Sequence, residues 1–288
     1  MKLKADFVND WMAVLKDILV NHWGYDTTGI PDDEIPLVYF NAELRRIEKR
    51  LRKIEYATGF SCPDELKKGL EVLKNKIETG QDITPNLSKL VLKPQNMDSL
   101  LNDWGVHHFH LGEDLEGNFI KRTKPLLFAL VTNNIFYVIG IFSHGEWAND
   151  SIVEIIHKNW PESISQYKVK EDVQLSYNLT SEERLKFRKN QLNSYFQCSD
   201  GTLYAPVGGG SVTSGYNVQS TIRMIQQKKH LKNLENFLEG ELPRIRSDLE
   251  KQGYGGEEEL VTKLEITETQ YNAFFPKYNL SVILHKRA

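Results

Sequence analysis

The chain has 288 residues, of which 40% are hydrophobic and 26% charged, and carries a net charge of −3 at pH 7. That is length for one large or two ordinary domains and the balance of a soluble globular protein; it excludes a uniformly basic nucleic-acid coat, though not a local basic patch. The two cysteines, Cys62 and Cys198, lie far apart with no metal-ligand spacing, so a disulfide framework is not expected, and a reducing, cytoplasmic setting is. No apolar run reaches membrane-spanning length, and the start MKLKADFVNDWM lacks the apolar core of a signal peptide.

In chain order, Phe7, Trp11, Val14, Leu15, Ile18 and Leu19 recur at helical spacing, predicting an amphipathic helix over Asp6 to His22 that stops at Trp23-Gly24. Leu37 to Phe40 reads as a short strand or extended segment. From Ala42 to Ala57 a helix is expected whose basic residues include Arg45, Arg46, Lys49 and Arg50. Such a run is either a solvated face or an electrostatic landing strip for phosphates, and the run alone does not separate the two. Leu66, Leu70, Leu73 and Ile77 place a further helix over Pro63 to Glu78, ended by Thr79-Gly80.

The most strongly β-patterned stretch runs from Leu100 to Trp147, and it also holds four of the eight histidines. Strands are expected over Val106 to Leu111, Leu126 to Val131 and Ile135 to Ser143, the last two joined by the tight turn Thr132-Asn133-Asn134. Side chains alternate along a strand, so His108 and His110 share one face and His107 takes the other. Both parities of the third strand are apolar, which predicts a central strand. In an antiparallel sheet the end of that strand, with His144, lies near the start of the second, with Arg122 and Lys124. After Trp147, Asn149 or Asp150 can cap a helix that Trp160-Pro161 terminates, and KVKED after Tyr167 reads as a connector.

Beyond it come a charged helix from Thr180 to Asn193, the loop APVGGGSVTSG, a long helix from Asn217 to Gly240, a short one from Pro243 to Gln252, and a final alternating strand near Tyr278 to Leu284. Glycine-rich loops ahead of helices can cradle phosphate, with Ser211 and Thr213 as hydroxyl donors, but no Walker or dinucleotide fingerprint is present and a structural turn is the simpler account.

Three readings of the histidines stay open. His108, His110 and His144 could converge on a divalent ion; His107 and one other histidine could simply pack against the tryptophans with satisfied ring nitrogens; or the histidines could do acid–base work beside Arg122. Metal-free RNA cleavage needs a group to take the 2′-hydroxyl proton, one to protonate the leaving oxygen, and a cation for the added charge. A helix ending at Gly80, the strand from Val106, Arg122, and the meander LLFALVTNNIFYVIGIFSHGEW with its closing helix resemble the RelE-like toxin ribonucleases, within the broader barnase, EndoU and colicin nuclease group. The resemblance spans about residues 63 to 160. It implies that Arg122 holds the phosphate, His144 is the acid or base and His108 or His110 its partner; Gly145-Glu146 stands where that family commonly has a lysine pair. The run DWGVHHFHLG is also similar to one in bacterial proteins with no assigned activity.

The expected protein is α+β, with a helical N-terminal region (residues 1–62), a central antiparallel sheet domain (63–167) and a C-terminal helical region with a terminal strand (168–288). The expected function is a metal-independent endoribonuclease of toxin or phage-defence type without a cofactor. Its catalytic set is His108, His110, Arg122 and His144, and Lys124, Trp147, Arg45, Arg46, Lys49, Arg50, Ser211 and Thr213 contact RNA; an antitoxin or other protein partner is expected, and no membrane. The alternatives are a metal-dependent nuclease or phosphoesterase on the three histidines, and a non-catalytic nucleic-acid or protein-binding subunit of a defence or toxin–antitoxin system.

Overall fold

A computed structural model describes residues 2–170, 173 and 175–287. The fold is α+β. In chain order it runs β1 (Lys2–Lys4), α1 (Phe7–Asp17), α2 (Ile35–Arg45), β2 (Lys53–Tyr56), α3 (Lys67–Glu78), α4 (Ser99–Trp104), β3 (Val106–Phe109), β4 (Leu115–Glu116), β5 (Phe119–Ile120), β6 (Leu126–Val131), β7 (Ile135–Phe142), α5 (Ser151–Asn159), α6 (Ser181–Lys189), β8 (Phe196–Gln197), β9 (Leu203–Tyr204), α7 (Val218–Lys251), and then β10 (Glu259–Val261), β11 (Lys263–Ile266), β12 (Gln270–Phe275) and β13 (Leu280–Lys286). Two compact units result, one from residues 1–39 with 222–288 and one from residues 40–221. These boundaries differ from those expected at residues 62 and 167, because chain-terminal segments pair with each other and no local composition signals such a pairing. Of the KVKED connector, Glu171 and Asp172 lie outside the described residues.

In the unit built from the chain ends, β1 pairs in parallel with β10, and β11, β12 and β13 form an antiparallel sheet. The single terminal strand expected there is thus one of three. α1 buries Phe7, Trp11 and Leu15, and its first turn is tied down by the Phe7 amide donating to Glu235 and the Leu264 amide donating to Asp10. α7 continues through Pro243, where a break was expected. Leu231, Leu234, Leu238, Leu242, Ile245 and Leu249 are all buried at helical spacing on both sides of the proline. That continuous stripe outweighs a proline cost of about 3 kcal/mol.

The other unit is organised on a four-stranded sheet in the order β2-β7-β6-β3. The expected hairpin is present, with β6 antiparallel to β7 and to β3, and β7 is a central strand. The expectation of a wholly antiparallel sheet is corrected by β2, which pairs in parallel with β7. β2 also corrects the basic helix expected from Ala42 to Ala57: α2 stops at Arg45. The same helix replaces the extended segment expected at Leu37 to Phe40. Ile35, Val38, Ala42 and Arg45 are among its buried positions, with Phe40 and Asn41 beside them, and a four-residue window does not reveal the helical spacing of the first four. One sheet face packs Val106, Leu126, Phe128 and Phe142 against α4 and α5, while the other packs Phe109, Leu127, Phe136 and Val138 against α3.

β7 is bulged. Phe128 pairs with Gly140 and Ala129 with Val138, leaving Ile139 as the extra residue. Simple alternation would put Phe142 on the face of Phe136, yet the two lie in cores on opposite faces. The end of β7 is thereby turned toward the face that carries His108.

The glycine-rich loop has a structural task. The Gly105, Gly208 and Gly210 amides donate to the carbonyls of Leu101, Asp103 and Asn102. The first of these is the C-cap bond of α4 itself; the Asn102 and Asp103 carbonyls, which have no partner inside the helix, are capped by the loop. Asn102 adds side-chain bonds to the Ser211 hydroxyl and the Gly215 carbonyl, and Asn217 donates to the Gly208 carbonyl. A Cβ on Gly208 would sit 2.0 Å from the Leu101 carbonyl oxygen. Gly208→Ala is therefore expected to destabilise the protein by about 2–3 kcal/mol in urea unfolding, an overpacking penalty against backbone that cannot move aside; a change below about 0.5 kcal/mol would contradict this account of the loop.

Candidate functional site

A cavity of about 530 Å³ runs along β3, the edge strand, and its wall includes His107, His108, His110, Arg122, Lys124, His144 and Trp147. The four residues expected to carry chemistry, His108, His110, Arg122 and His144, therefore line one space. Around them are apolar residues such as Leu90, Val91, Leu100 and Leu126, together with Asp98, Thr123 and Arg45. Polar and charged side chains thus share the wall with apolar ones, and the volume lies in the range of small-molecule sites.

His108 leaves β3 on the Phe128 face, its ring 5.0 Å from the Trp147 indole and 6.4 Å from Phe128. Its Nδ1 is buried without a hydrogen-bond partner. Burial lowers its pKa, Asp98 opposes that lowering, and His144 adds to it. His107 points to the other face beside Phe109, as alternation requires, and neither of its ring nitrogens has a well-formed bond.

His110 lies just past the end of β3 and is fixed by its backbone. Its amide donates to the Asn86 carbonyl, and the Asn86 side chain, 1% exposed, donates back to the His110 carbonyl. The Thr123 amide donates to His110 Nδ1 at 3.2 Å. An N–H aimed at Nδ1 can be accepted only by an unprotonated nitrogen, so the neutral ring carries its hydrogen on Nε2. Burial, His108 and Arg122 push its pKa down to about 4. His110 is consequently a neutral hydrogen-bond donor.

His144 is exposed just beyond β7, with its ring 5.1 Å from Trp147 and edge-on. Its turn is closed by Glu146, whose carboxylate accepts from the Ser143 amide at 2.6 Å. Trp147 stacks on Phe128 with 10° between planes, so one indole face is covered; it is a wall shared by His108 and His144 rather than an open platform for a base. Trp104 is core, and Trp160 packs on Tyr137. Arg122 and Lys124 are exposed on the cavity wall.

Several expected RNA contacts are elsewhere. Arg45 lines the cavity but is buried, donating to the carbonyls of Asn41, Leu90, Lys93 and Pro94. It clamps the Leu90–Pro94 segment. Lys49 pairs with Asp82 and Arg50 with Glu48, and neither they nor Arg46 line the cavity. Ser211 and Thr213 do not line it either: the Ser211 amide and carbonyl are both bound to the Asn193 side chain, and the loop amides that could have met phosphate are engaged by α4. On the three-histidine metal alternative, among the described residues no group of three His, Cys, Asp or Glu is placed to hold an ion. His108 and His144 each pack on Trp147 instead.

The residues missed by sequence reading are Asp98, Asn86, Arg184 and Arg188. The two arginines of α6 are buried among aromatic rings, at 5.3 and 4.3 Å from the Trp104 ring centre. Arg188 pairs with Asp103 at 2.8 Å and donates to the Trp147 carbonyl, while Arg184 pairs with Asp150 at 3.3 Å. Together they hold both ends of the Trp147–Asp150 turn. A sequence shows these arginines only as part of a charged helix, which is why they read as solvated.

Removing one partner of a buried pair leaves the other charge stranded. Arg188→Met is expected to cost about 3–5 kcal/mol in chemical denaturation, and the double variant Arg188→Met/Asp103→Asn should recover part of that loss; an additive double variant would refute the pairing. A second prediction concerns pH. His110 in the folded state is neutral above about 4, whereas in the unfolded chain it takes up a proton near 6.5. The unfolded state thus binds more protons between those values, so the contribution is complete above pH 6.5 and is lost as pH falls toward 4, about 3 kcal/mol for this residue. His107 adds in the same direction. Urea unfolding from pH 7.5 to 4.5 should show this decline, and His110→Gln should make it shallower; an unchanged slope in the variant would be inconsistent with a buried neutral His110.

Compared with known proteins, the chain matches no family model, no curated protein and no solved structure, so a functional reading has to rest on the chemistry of this cavity.

Proposed function

We propose that the protein is a metal-independent endoribonuclease of toxin or phage-defence type, acting on RNA in the cytoplasm, with this cavity as its active site. The observation that carries the reading is that His108, His144, His110 and Arg122 line a single cavity of about 530 Å³, a space fit for one nucleotide. Cleavage beside a 2′-hydroxyl needs a base, an acid and a cation, and this wall offers each. His108, kept neutral by burial, takes the 2′-hydroxyl proton. Arg122, with Lys124, binds the phosphate and the charge that accumulates on it. The Nε2–H of His110 donates to a phosphoryl oxygen, and His144, exposed to water at the end of β7, protonates the leaving 5′-oxygen. The 2′-oxygen forms a bond to phosphorus as the bond to the 5′-oxygen breaks, which yields a cyclic phosphate and a free 5′-hydroxyl. A nuclease of this kind is held in check in its host by an antitoxin or other protein partner.

The test is single-turnover cleavage of a labelled RNA pool. His144→Ala should slow cleavage by roughly 10² to 10⁴-fold with nearly unchanged RNA affinity, since its interaction develops only along the reaction path. Arg122→Ala should reduce both rate and affinity, because a guanidinium meets the phosphate before and during reaction. Chelator should leave cleavage intact. Full activity in both variants would sink the mechanism; no cleavage by the wild type of any RNA tested would instead favour a non-catalytic binding subunit.

A further inference from the structure

We infer that the part of the cavity walled by His107 is a nucleobase subsite, in which this histidine hydrogen-bonds the base while Arg122 and Lys124 hold the phosphate of the same nucleotide. Its role in cleavage rests on the ribonuclease reading, although nucleotide binding can be measured without any cleavage. β3 is an edge strand whose residues alternate between two packed faces. His107 lies beside Phe109, which belongs with Leu87 and Val91 to the core on the α3 face. His108 lies beside Phe128, on the face of Leu100 and Leu126. Both histidines and all four of these aliphatic residues line the cavity, which therefore reaches both faces of the sheet around the edge of β3.

The His107 side of this space has a specific polar feature. Both ring nitrogens of His107 are buried, and neither has a well-formed hydrogen bond among the described residues; the Leu44 carbonyl acts on the ring only in favour of a proton. Buried polar atoms are costly without partners and are normally paired, so a group that pairs with them on entering gains what the empty wall forgoes. Burial keeps the imidazole neutral, which gives it one N–H donor and one acceptor nitrogen. The aliphatic neighbours Leu87 and Val91 favour an uncharged, flat partner. Arg45, bound to the Leu90 carbonyl next to Val91, has its guanidinium engaged by the backbone.

The exposed cations stand at the other end of β3. The Thr123 amide is bound to His110 Nδ1 at 3.2 Å, which places the Arg122–Lys124 segment beside His110. His110 follows His107 by three residues, roughly 10 Å along an extended chain, a span comparable to that between a base and its own phosphate. A ligand with a flat, neutral, hydrogen-bonding end and an anionic end is a nucleotide, and single-stranded RNA is read in this way, by hydrogen bonds to the edges of bases held out of the stack. In cleavage, the base seated at His107 decides which nucleotide offers its 2′-hydroxyl to His108, so His107 sets a base preference.

The probes are the four nucleoside 3′-monophosphates, which carry base and phosphate but no bond to be cleaved, and ribose 5-phosphate, which lacks the base. At least one nucleotide should bind the full chain more tightly than ribose 5-phosphate, and its addition should move the ring-nitrogen NMR signals of His107 but not those of His230, in the other compact unit. His107→Phe removes both nitrogens and, because they have no partners to lose, should melt no lower than the wild type. It should weaken nucleotide binding roughly tenfold and leave ribose 5-phosphate binding unchanged, whereas Arg122→Ala should weaken both. Equal affinity for nucleotides and ribose 5-phosphate, unmoved His107 signals, or an unchanged nucleotide affinity in His107→Phe would each overturn the proposal; if that variant does not fold, the wild-type affinities and signals decide. A chain that cleaves RNA but fails these tests loses the subsite and keeps the ribonuclease reading. One that passes them and cleaves no RNA loses the ribonuclease reading and keeps a nucleotide site.

Discussion

The feature on which the site depends is the capping of α4 by the glycine-rich loop. Three carbonyls at the end of a short, buried helix need donors; its own C-cap Gly105 supplies one amide, and Gly208 and Gly210 of the loop supply the other two. This fixes where α4 stops, and β3 begins one residue later. The far end of β3 is fixed by equally local means: Asn86 brackets the His110 backbone, and the Thr123 hydroxyl accepts from the Leu111 amide while donating to the Pro125 carbonyl. A strand only four residues long, at a sheet edge, would otherwise be the first to fray. Pinned at both ends, it can present histidines at defined positions to a cavity.

Charge is handled differently in the scaffold and in the cavity. Arg45 and Arg52 are buried and held by backbone carbonyls; Arg184 and Arg188 are held by carboxylates, a carbonyl and aromatic faces, with the Nη2 of each buried and without a hydrogen-bond partner. Each holds an irregular segment in place, a task suited to a planar fork of donors. The cations on the open wall, Arg122 and Lys124, are exposed and carry no such clamp among the described residues. The contrast separates cations that build the site from those available to a ligand, and it removes Arg45 from the second group although it borders the same space.

Legibility in the sequence depends on the range of the interactions involved. The hairpin of β6 and β7, the helix α3, the helix start after Asp150 and the clustering of His108, Arg122 and His144 are readable because period-two alternation, turn residues and helix stops are local signals. The burial of Arg45, Arg184 and Arg188 is not, because apart from the Asn41 carbonyl and the Ser194 hydroxyl the groups that bind them lie 34 to 85 positions away in sequence. The same holds for β2, whose partner β7 is separated from it by much of the unit, and for α7, where the local signal of Pro243 is overridden by a stripe of leucines packed on distant segments.

The placement of His144 shows why a sound inference can rest on an incomplete premise. Antiparallel pairing alone brings the end of β7 near Arg122, and both residues do line the cavity. Strict alternation, however, would turn His144 toward the α3 face, away from His108. The extra residue Ile139 reverses the parity of the residues beyond it, so that Phe142 joins Phe128 and His144 meets Trp147. One inserted residue in the middle of a strand therefore decides on which side of the sheet an imidazole five positions later emerges, and no propensity of the residues around Ile139 announces it. The apolar character of both β7 faces is what permits the switch: with helices packed on either side, shifting the register of Phe142 exchanges one buried environment for another at little cost, while the polar residue beyond the strand end changes its neighbours completely.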